Sequence, residues 1–543
     1  MGAPKRLLVI GIDGADFILT TEWIAGGHLP NLAKLCESGR LLPCSSTHPP
    51  VTAPAWTTAF TGCNPGKHGL YDFWDFSFPN RRPWWTEPRR CPSLWRILSE
   101  AGLSCGLVNL PMNFPAEAIN GVIISGMGCP GMSEQGFHPR ELRQELTQAL
   151  PEYAFHPEKC GPVVYPDARE LARFCRMRTQ AAEWLLGKRS YDVFGVVFSS
   201  LDWAGHGYAR DFEHGGVALE VARAIDAQIG DLLAVCDWPR TPVMVLSDHG
   251  MRCARRQANL YVLFHQLGLM KFRWDGDRGK PSLKSALVRG WNLAKRVLPP
   301  DWVRQIRRAA DRQRGALLNA GPRVRIDWEQ TVAAPVGPYG TVRMNVRGRD
   351  PQGVVSLEDY ADVRQGVVEK LKDIKDPATG RPLFGRVLTR EEAYNGWALQ
   401  DAPDIVLADP PPDLAFGVAF DEADIAPFLE QADVVAPLVP YAGVHSSTGI
   451  MILSGDVAAT GSWSGETECS LEDFTPTALH VLGIPVPTYM DGRVLTQHLA
   501  GEIARKGILR ATAAPPDVRG NEAHYTQKEE EELREQLRAL GYV

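Results

Sequence analysis

The chain has 543 residues, 44% of them hydrophobic, more than one compact core organises, which predicts a large domain carrying a second one. A formal net charge of -6 excludes the global basic field that draws a protein to nucleic acid or to an anionic membrane, so any such contact would have to be local. Eleven cysteines without CxxC pairs or regular spacing read as reduced thiols rather than a disulfide framework or a zinc-finger set, and point to the cytoplasm.

The first element is RLLVIGIDG (6–14), an apolar, β-branched run stopped by Gly14 and ending in Asp13. It is too short for a secretory core or a membrane span and reads as a strand buried on both faces. PPVTAPAWTTAFTG (49–62) turns at its prolines and enters a helix at AWTTAF, with Thr52 in a cap-like position beside a helix N-terminus that favours anions. YDFWDFSFPNRRPWWTEPRRC (71–91) is rich in aromatics and arginine. It reads mainly as core or lid packing, with a wall for an anionic, ring-bearing substrate as the alternative.

A helix from Asp167 to Lys188 leads into YDVFGVVFSSLD, a second buried strand ending at Asp202. A helix from Val217 to Cys236 leads into TPVMVLSDHG, a third, ending at Asp248 and His249. Strands alternating with helices predict a doubly wound, mostly parallel α/β sheet, with ligands bound beyond the carboxyl ends of its strands. Three carboxylates meeting at one sheet edge repel one another unless cations neutralise them. His206, four residues after Asp202 in LDWAGH, can share an ion with it, and His445 stands just before a further apolar strand in YAGVHSSTGIMILSGD. This Asp/His set suits Zn2+, with Mn2+ or another divalent transition metal as alternatives. Singly, an aspartate ending a strand is most often a turn former or cap, and a lone histidine a packed one; the ordered set at three strand ends is what points to a metal site.

Between SDHGM and GVH the chain predicts an insertion. Residues 280–325 are strongly basic with helical apolar spacing, read first as a solvated lid and second as a surface for anionic membrane or acidic substrate. From Ile326 onward, strand-like pieces and one helix predict an α+β unit. The expected division is a metal-binding core of residues 1–265 and 435–510, an inserted cap of 266–434, and a linker with a C-terminal helix over 511–543 that places Leu533, Leu537 and Leu540 on one face.

Together IDG (12–14), TAPAWTTAFTGCNPGKHG (52–69), LDWAGH (201–206), SDHGM (247–251) and GVH (443–445) resemble the type I phosphodiesterase/nucleotide pyrophosphatase branch of the alkaline phosphatase superfamily, and within it a cytoplasmic phosphohydrolase/phosphomutase group. The resemblance implies a core of that fold with two metal ions about 3.5–4 Å apart. One would be held by Asp13, Thr52, Asp248 and His249, the other by Asp202, His206 and His445. It further implies Thr52 as the nucleophile and a phosphothreonine intermediate released by water, on a phosphorylated small-molecule substrate of diester or phospho-conjugate type. A phosphomutase on the same site and a catalytically silent phospho-ligand binding protein are the alternatives. Ala55, three residues after Thr52, supplies no polar group for a phosphate oxygen.

Overall fold

The computed structural model describes residues 6–76, 89–157, 165–212, 215–275, 323–418, 425–429, 433–460, 469–512 and 525–539. Most of the basic segment 280–325, the tryptophans and arginines of 77–88, and most of the expected linker lie outside them.

Every residue of the first strand, β1 (Leu7–Ile12), is buried. Its side chains alternate: Leu8, Ile10 and Ile12 enter one apolar cluster, Leu7 and Val9 another. A two-residue period with both faces apolar belongs at the centre of a sheet covered on both sides. That sheet contains β1, β2 (Gly39–Ser45), β3 (Cys105–Leu110), β4 (Gly121–Ser125), β5 (Phe137–His138), β6 (Val193–Phe198), β7 (Val243–Leu246) and two late strands, Thr448–Ser454 and Cys469–Ser470. The spatial order is Cys469–Ser470, β2, Thr448–Ser454, β7, β1, β6, β3, β4, β5. The run β7-β1-β6-β3-β4 is parallel throughout, while Thr448–Ser454 lies antiparallel between β7 and β2.

The helices Ala168–Lys188 and Gly216–Val235 cover one face, burying Leu171, Phe174, Ile225 and Ile229 in the cluster with Leu8 and Ile10. The helices Thr52–Thr61, Leu94–Glu100 and Phe474–Leu482 cover the other, through Trp56, Phe60, Trp95 and Phe474. Each fully buried Leu, Ile or Phe contributes about 1.5–3 kcal/mol, so the sheet is held from both sides. Chain order then does the positioning: β6 and β7 are the two parallel neighbours of β1, so the residues that follow all three strands leave the sheet side by side.

Beyond β7, the strand β8 (Gly250–Asn259) is the middle of a three-stranded sheet, parallel to Leu414–Gly417 and antiparallel to Val435–Ser446. A separate four-stranded antiparallel sheet runs in the order Ala333–Pro335, Thr341–Met344, Ile405–Ala408, Arg386–Thr389. The helix Tyr360–Lys372 packs Val367, Val368 and Leu371 into the same cluster as Val342 and Ile405. At the C-terminus Tyr525 stacks on Phe114 with ring centroids 5.1 Å apart, and Leu533 is buried in the main cluster. The side chain of Leu537, and Leu540 itself, lie outside the described residues. No helix among the described residues is long and apolar enough to cross a membrane.

One helix start is capped from a distance. The helix Pro30–Glu37 has no capping side chain of its own. Instead buried Asp226, on Gly216–Val235, accepts the backbone amides of Asn31 at 3.1 Å and Leu32 at 2.8 Å. This carboxylate satisfies orphan helix donors and favours the positive end of the helix dipole. Asp226→Ala is expected to destabilise the fold by about 1–3 kcal/mol, read as a lower urea midpoint, with Asp226→Asn recovering part of the loss.

Candidate metal centre and active site

The first carboxylate arrives directly from β1: the Asp13 amide donates to Phe198 O at 2.9 Å, continuing the pairing with β6 for one residue. The chain must then turn against the next ligand. Gly14 has a φ of +76°, and a Cβ there would lie 3.0 Å from the Asp202 Cα, so only glycine lets the two segments approach. Asp202 sits in the helix Ser200–Gly207 that follows β6, and the helical turn brings His206 alongside it. Asp248 and His249 occupy the link between β7 and β8.

His445 comes from farther along the chain. It stands, as expected, just before the apolar strand Thr448–Ser454, but it is itself near the end of another long strand, Val435–Ser446, paired with Met251 of β8. That pairing brings it beside His249. Gly443, two residues earlier, permits the approach to His206, since a Cβ there would lie 2.2 Å from the Gly205 carbonyl oxygen.

Thr52 also departs from its expected role. The cap position belongs to Val51, whose backbone is extended, and Thr52 is the first residue inside the helix Thr52–Thr61. No side chain caps this helix. The Thr52 hydroxyl is instead turned to the carboxylate edge, with Oγ1 3.0 Å from His249 Nε2. Ala55 is buried in the apolar cluster with Leu7 and Val9.

The three histidines are held alike. Nδ1 of His206, His249 and His445 lies 3.2, 3.1 and 2.7 Å from the carbonyl oxygens of Gly443, Gly250 and Pro50. A carbonyl only accepts, so each Nδ1 carries the hydrogen and each Nε2 presents a lone pair. These Nε2 atoms converge: His206 and His445 are 3.0 Å apart, and each is 3.4 Å from Asp202 Oδ1. His249 Nε2 is 3.1 Å from Asp248 Oδ2 and 3.7 Å from Asp13 Oδ1. The His249 and His445 rings stack at 3.6 Å.

The electrostatics are those of a site built for cations. Asp13, Asp202, Asp248 and His249 are fully buried. Burial, with the charges of Asp248 and Asp202, raises the Asp13 carboxyl well above the usual range. Burial and the charge of Asp202 do the same to Asp248. Burial also opposes the charge of Asp202, but His206 and His445 outweigh it and hold this carboxyl low. Burial, then the neighbouring His445, pushes the His249 imidazole down, toward its neutral, ligating form. Neither Asp13 Oδ1 nor Asp248 Oδ2 accepts a hydrogen bond from a described residue. Unmatched buried carboxylate oxygens facing imidazole lone pairs are the donor set of a borderline divalent ion.

Two sets of ligand atoms lie within 4.8 Å of one another: Asp13, Asp248 and His249, and Asp202, His249 and His445. His249 stands in both. The seven expected residues thus meet in one buried volume, with His206 joined to the second set through His445 and Asp202 and Thr52 to both through His249.

Several neighbours were not foreseen from the sequence. Trp56 Nε1 donates to Asp13 Oδ2 at 3.3 Å. Ser247 Oγ accepts from the Ala15 amide at 2.8 Å and donates to His249 O at 2.7 Å, tying the β1 and β7 exits together. Tyr339, in the turn between Ala333–Pro335 and Thr341–Met344, stacks on His445 with centroids 5.3 Å apart. Burial raises its phenol well above the usual range, with the charges of Asp72, Asp202 and Asp13 adding to the effect. Trp56 and Ser247 lie inside the motifs TAPAWTTAFTGCNPGKHG and SDHGM and Arg252 directly follows the second, whereas Tyr339 has no local signal. Arg252, with His206, Tyr339 and His445, lines a cavity of about 240 Å³.

The family model for type I phosphodiesterase/nucleotide pyrophosphatase matches residues 7–422, which include every expected site residue except His445. Phosphonoacetate hydrolase from Sinorhizobium meliloti 1021 in complex with phosphonoformate superposes with a TM-score of 0.54 at 15% identity, covering 89% of this chain and 96% of that one. The same hydrolase with phosphonoacetate gives 0.50 at 14%, over 89% and 96%. Human ectonucleotide pyrophosphatase/phosphodiesterase 5 gives 0.48 at 13%, over 91% and 100%. Searching curated protein sequences gave no significant match. The first two structures share the fold of this chain, its mostly parallel central sheet included. With the family model spanning most of its length, the chain belongs to the type I phosphodiesterase/nucleotide pyrophosphatase family, as a metal-dependent hydrolase of phosphoesters.

Proposed function

We propose that the chain is a two-metal phosphohydrolase that cleaves a phosphodiester or phospho-conjugate through a phosphothreonine at Thr52. The observation that carries this reading is the buried Thr52 hydroxyl, 3.0 Å from His249 Nε2 at the meeting point of both candidate ligand sets. Asp13, Thr52, Asp248 and His249 would hold one ion and Asp202, His206 and His445 the other. Zinc suits the donors best. Bound cations there neutralise the carboxylates and favour the alkoxide of Thr52 over its alcohol.

In the first step Thr52 Oγ attacks phosphorus, the bond to the leaving oxygen breaks, and the phosphoryl group passes to threonine. Water then attacks the phosphothreonine, releasing the phosphate or phosphomonoester and restoring Thr52. The histidine carbonyl contacts fix the three rings, so ligand orientation is preset before substrate enters. In this reading residues 266–434 act as a cap that brings Tyr339 over His445 and closes one side of the site. The free thiols of the described cysteines fit a reducing compartment such as the cytoplasm.

Thr52→Ala is expected to lower kcat on bis-p-nitrophenyl phosphate by roughly 10³-fold or more while metal content, by plasma mass spectrometry, stays near two per chain. Retained turnover would remove threonine as the nucleophile. In ¹⁸O-water the label should enter the released phosphate or phosphomonoester; its absence would mean the phosphoryl group returns to another hydroxyl. Stripping with a chelator should lower the melting temperature, and Zn2+ should restore it, because an ion bound only by the folded chain stabilises by mass action. His445→Ala should hold about one ion fewer per chain than the parent protein, and full occupancy would contradict its assignment as a ligand.

A further inference from the structure

The lining of the cavity that contains His206 and His445 also contains an arginine. Arg252, on β8 two residues past Gly250, lines it together with apolar groups that include Leu407, Leu414 and Phe416. Two of the five N–H donors of a guanidinium are used here, toward the carbonyls of Pro410 at 3.3 Å and Leu414 at 3.5 Å. Its Nε is buried and has no hydrogen-bond partner among the described residues.

The other inward arginines of this region show the contrast. Arg256, four residues farther along β8, pairs with Asp376 at 2.8 Å and Asp413 at 2.7 Å, and Arg349 pairs with Asp404 at 2.8 Å. The acids around Arg252 are otherwise engaged: Asp413 by Arg256, Asp409 by Arg386, and Asp16 by Ser446 and the Phe17–Ala25 helix start. Arg252 makes no ion pair with a described carboxylate. Burial opposes its charge and lowers its pKa, with those same acids offsetting only part of the effect. A half-buried guanidinium that makes no ion pair with a described carboxylate, in a cavity lined also by His206 and His445, is suited to an anion that comes and goes, even with Asp409 in the same lining.

We propose that Arg252 binds an oxyanion, carboxylate or phosphate, carried on the leaving-group part of the substrate, so that the preferred substrates bear a second negative charge besides the phosphoryl group that is transferred. This rests on the reading of Thr52 as nucleophile: in-line attack sends the leaving oxygen away from Thr52, and the cavity that His206 and His445 line is the one Arg252 lines. The apolar walls accommodate a short carbon chain, and the guanidinium reads its charged end by paired hydrogen bonds.

Three size-matched substrates test this: propyl phosphate, 3-phosphooxypropionate, and propane-1,3-diol bisphosphate. The parent protein is expected to favour one or both charged tails over propyl by tenfold or more in kcat/KM, and which one it favours separates carboxylate from phosphate. Arg252→Gln should reduce that ratio by about tenfold, and Arg252→Lys by less, with melting temperatures reported for each. A ratio within twofold of the parent in both variants, or equal losses on charged and neutral tails, would overturn the proposal. Calorimetry with metal-loaded Thr52→Ala protein supplies a readout without turnover: 3-phosphonopropionate should bind at least tenfold tighter than propylphosphonate, and Arg252→Gln in the same background should abolish the difference. Equal affinities would overturn the role of Arg252, while a preserved difference with an active Thr52→Ala protein would overturn only the nucleophile.

Discussion

The constraint on which the rest of the structure depends is the burial of Asp13, Asp202 and Asp248 in one volume. Isolated carboxylates do not persist as anions away from water; they take up protons, find partners or hold cations. Here the three respond differently. Burial and neighbouring carboxylates raise the pKa of Asp13 and Asp248, whereas His206 and His445, each 3.4 Å from Asp202 Oδ1, hold that carboxyl low against its burial. The protein therefore holds a charge arrangement that is unfavourable until cations enter it. A sheet buried on both faces supplies the rigidity to do so, because its alternating Leu, Val and Ile side chains lock β1 against helices above and below.

How the ligands reach one another is a matter of strand order and two close approaches. With β6 and β7 flanking β1 in parallel, three acids at three strand exits need no special loops to meet. What needs special residues is removing the space between backbones. Gly14 does this between the β1 exit and the Asp202 helix, and Gly443 between that helix and the strand bearing His445. The histidines complete the site by an economical device: a backbone carbonyl takes each Nδ1 hydrogen, which leaves each Nε2 lone pair facing the site and fixes the plane of the ring.

Much of this was legible in the sequence, because buried parallel strands are continuous apolar runs and their ends are visible as the first charged residue. Asp13, Asp202 and Asp248 could be read off in that way, and His206 and His249 by their spacing from them. Thr52 was legible as a hydroxyl at a helix start, but its place within the helix was not. The extended Val51, whose carbonyl accepts the Ala55 amide, sets the boundary one residue earlier than the proline pattern indicated. His445 was visible as a candidate, yet its strand extends back to Val435 through a break in register between Pro437 and Ala442 that no apolar period marks. Tyr339 had no local signal at all. It lies in an ordinary turn of the inserted region, and its contact with His445 joins residues 106 positions apart, which only tertiary packing creates.

The same three-stranded sheet carries both the last metal-ligand candidate and the walls of the cavity. β8 bears Arg252, its parallel neighbour bears Leu414 and Phe416, and its antiparallel neighbour bears His445. A displacement of any strand that widened the cavity would also move His445 relative to His206, where 3.0 Å separates the two Nε2 atoms. Substrate preference in this architecture is therefore free to vary through side chains such as Arg252 but not through the register of the strands that hold them. That separation follows from the topology: the chain leaves the core after β8, builds the inserted sheet, and must return antiparallel to β8 to deliver its final histidine.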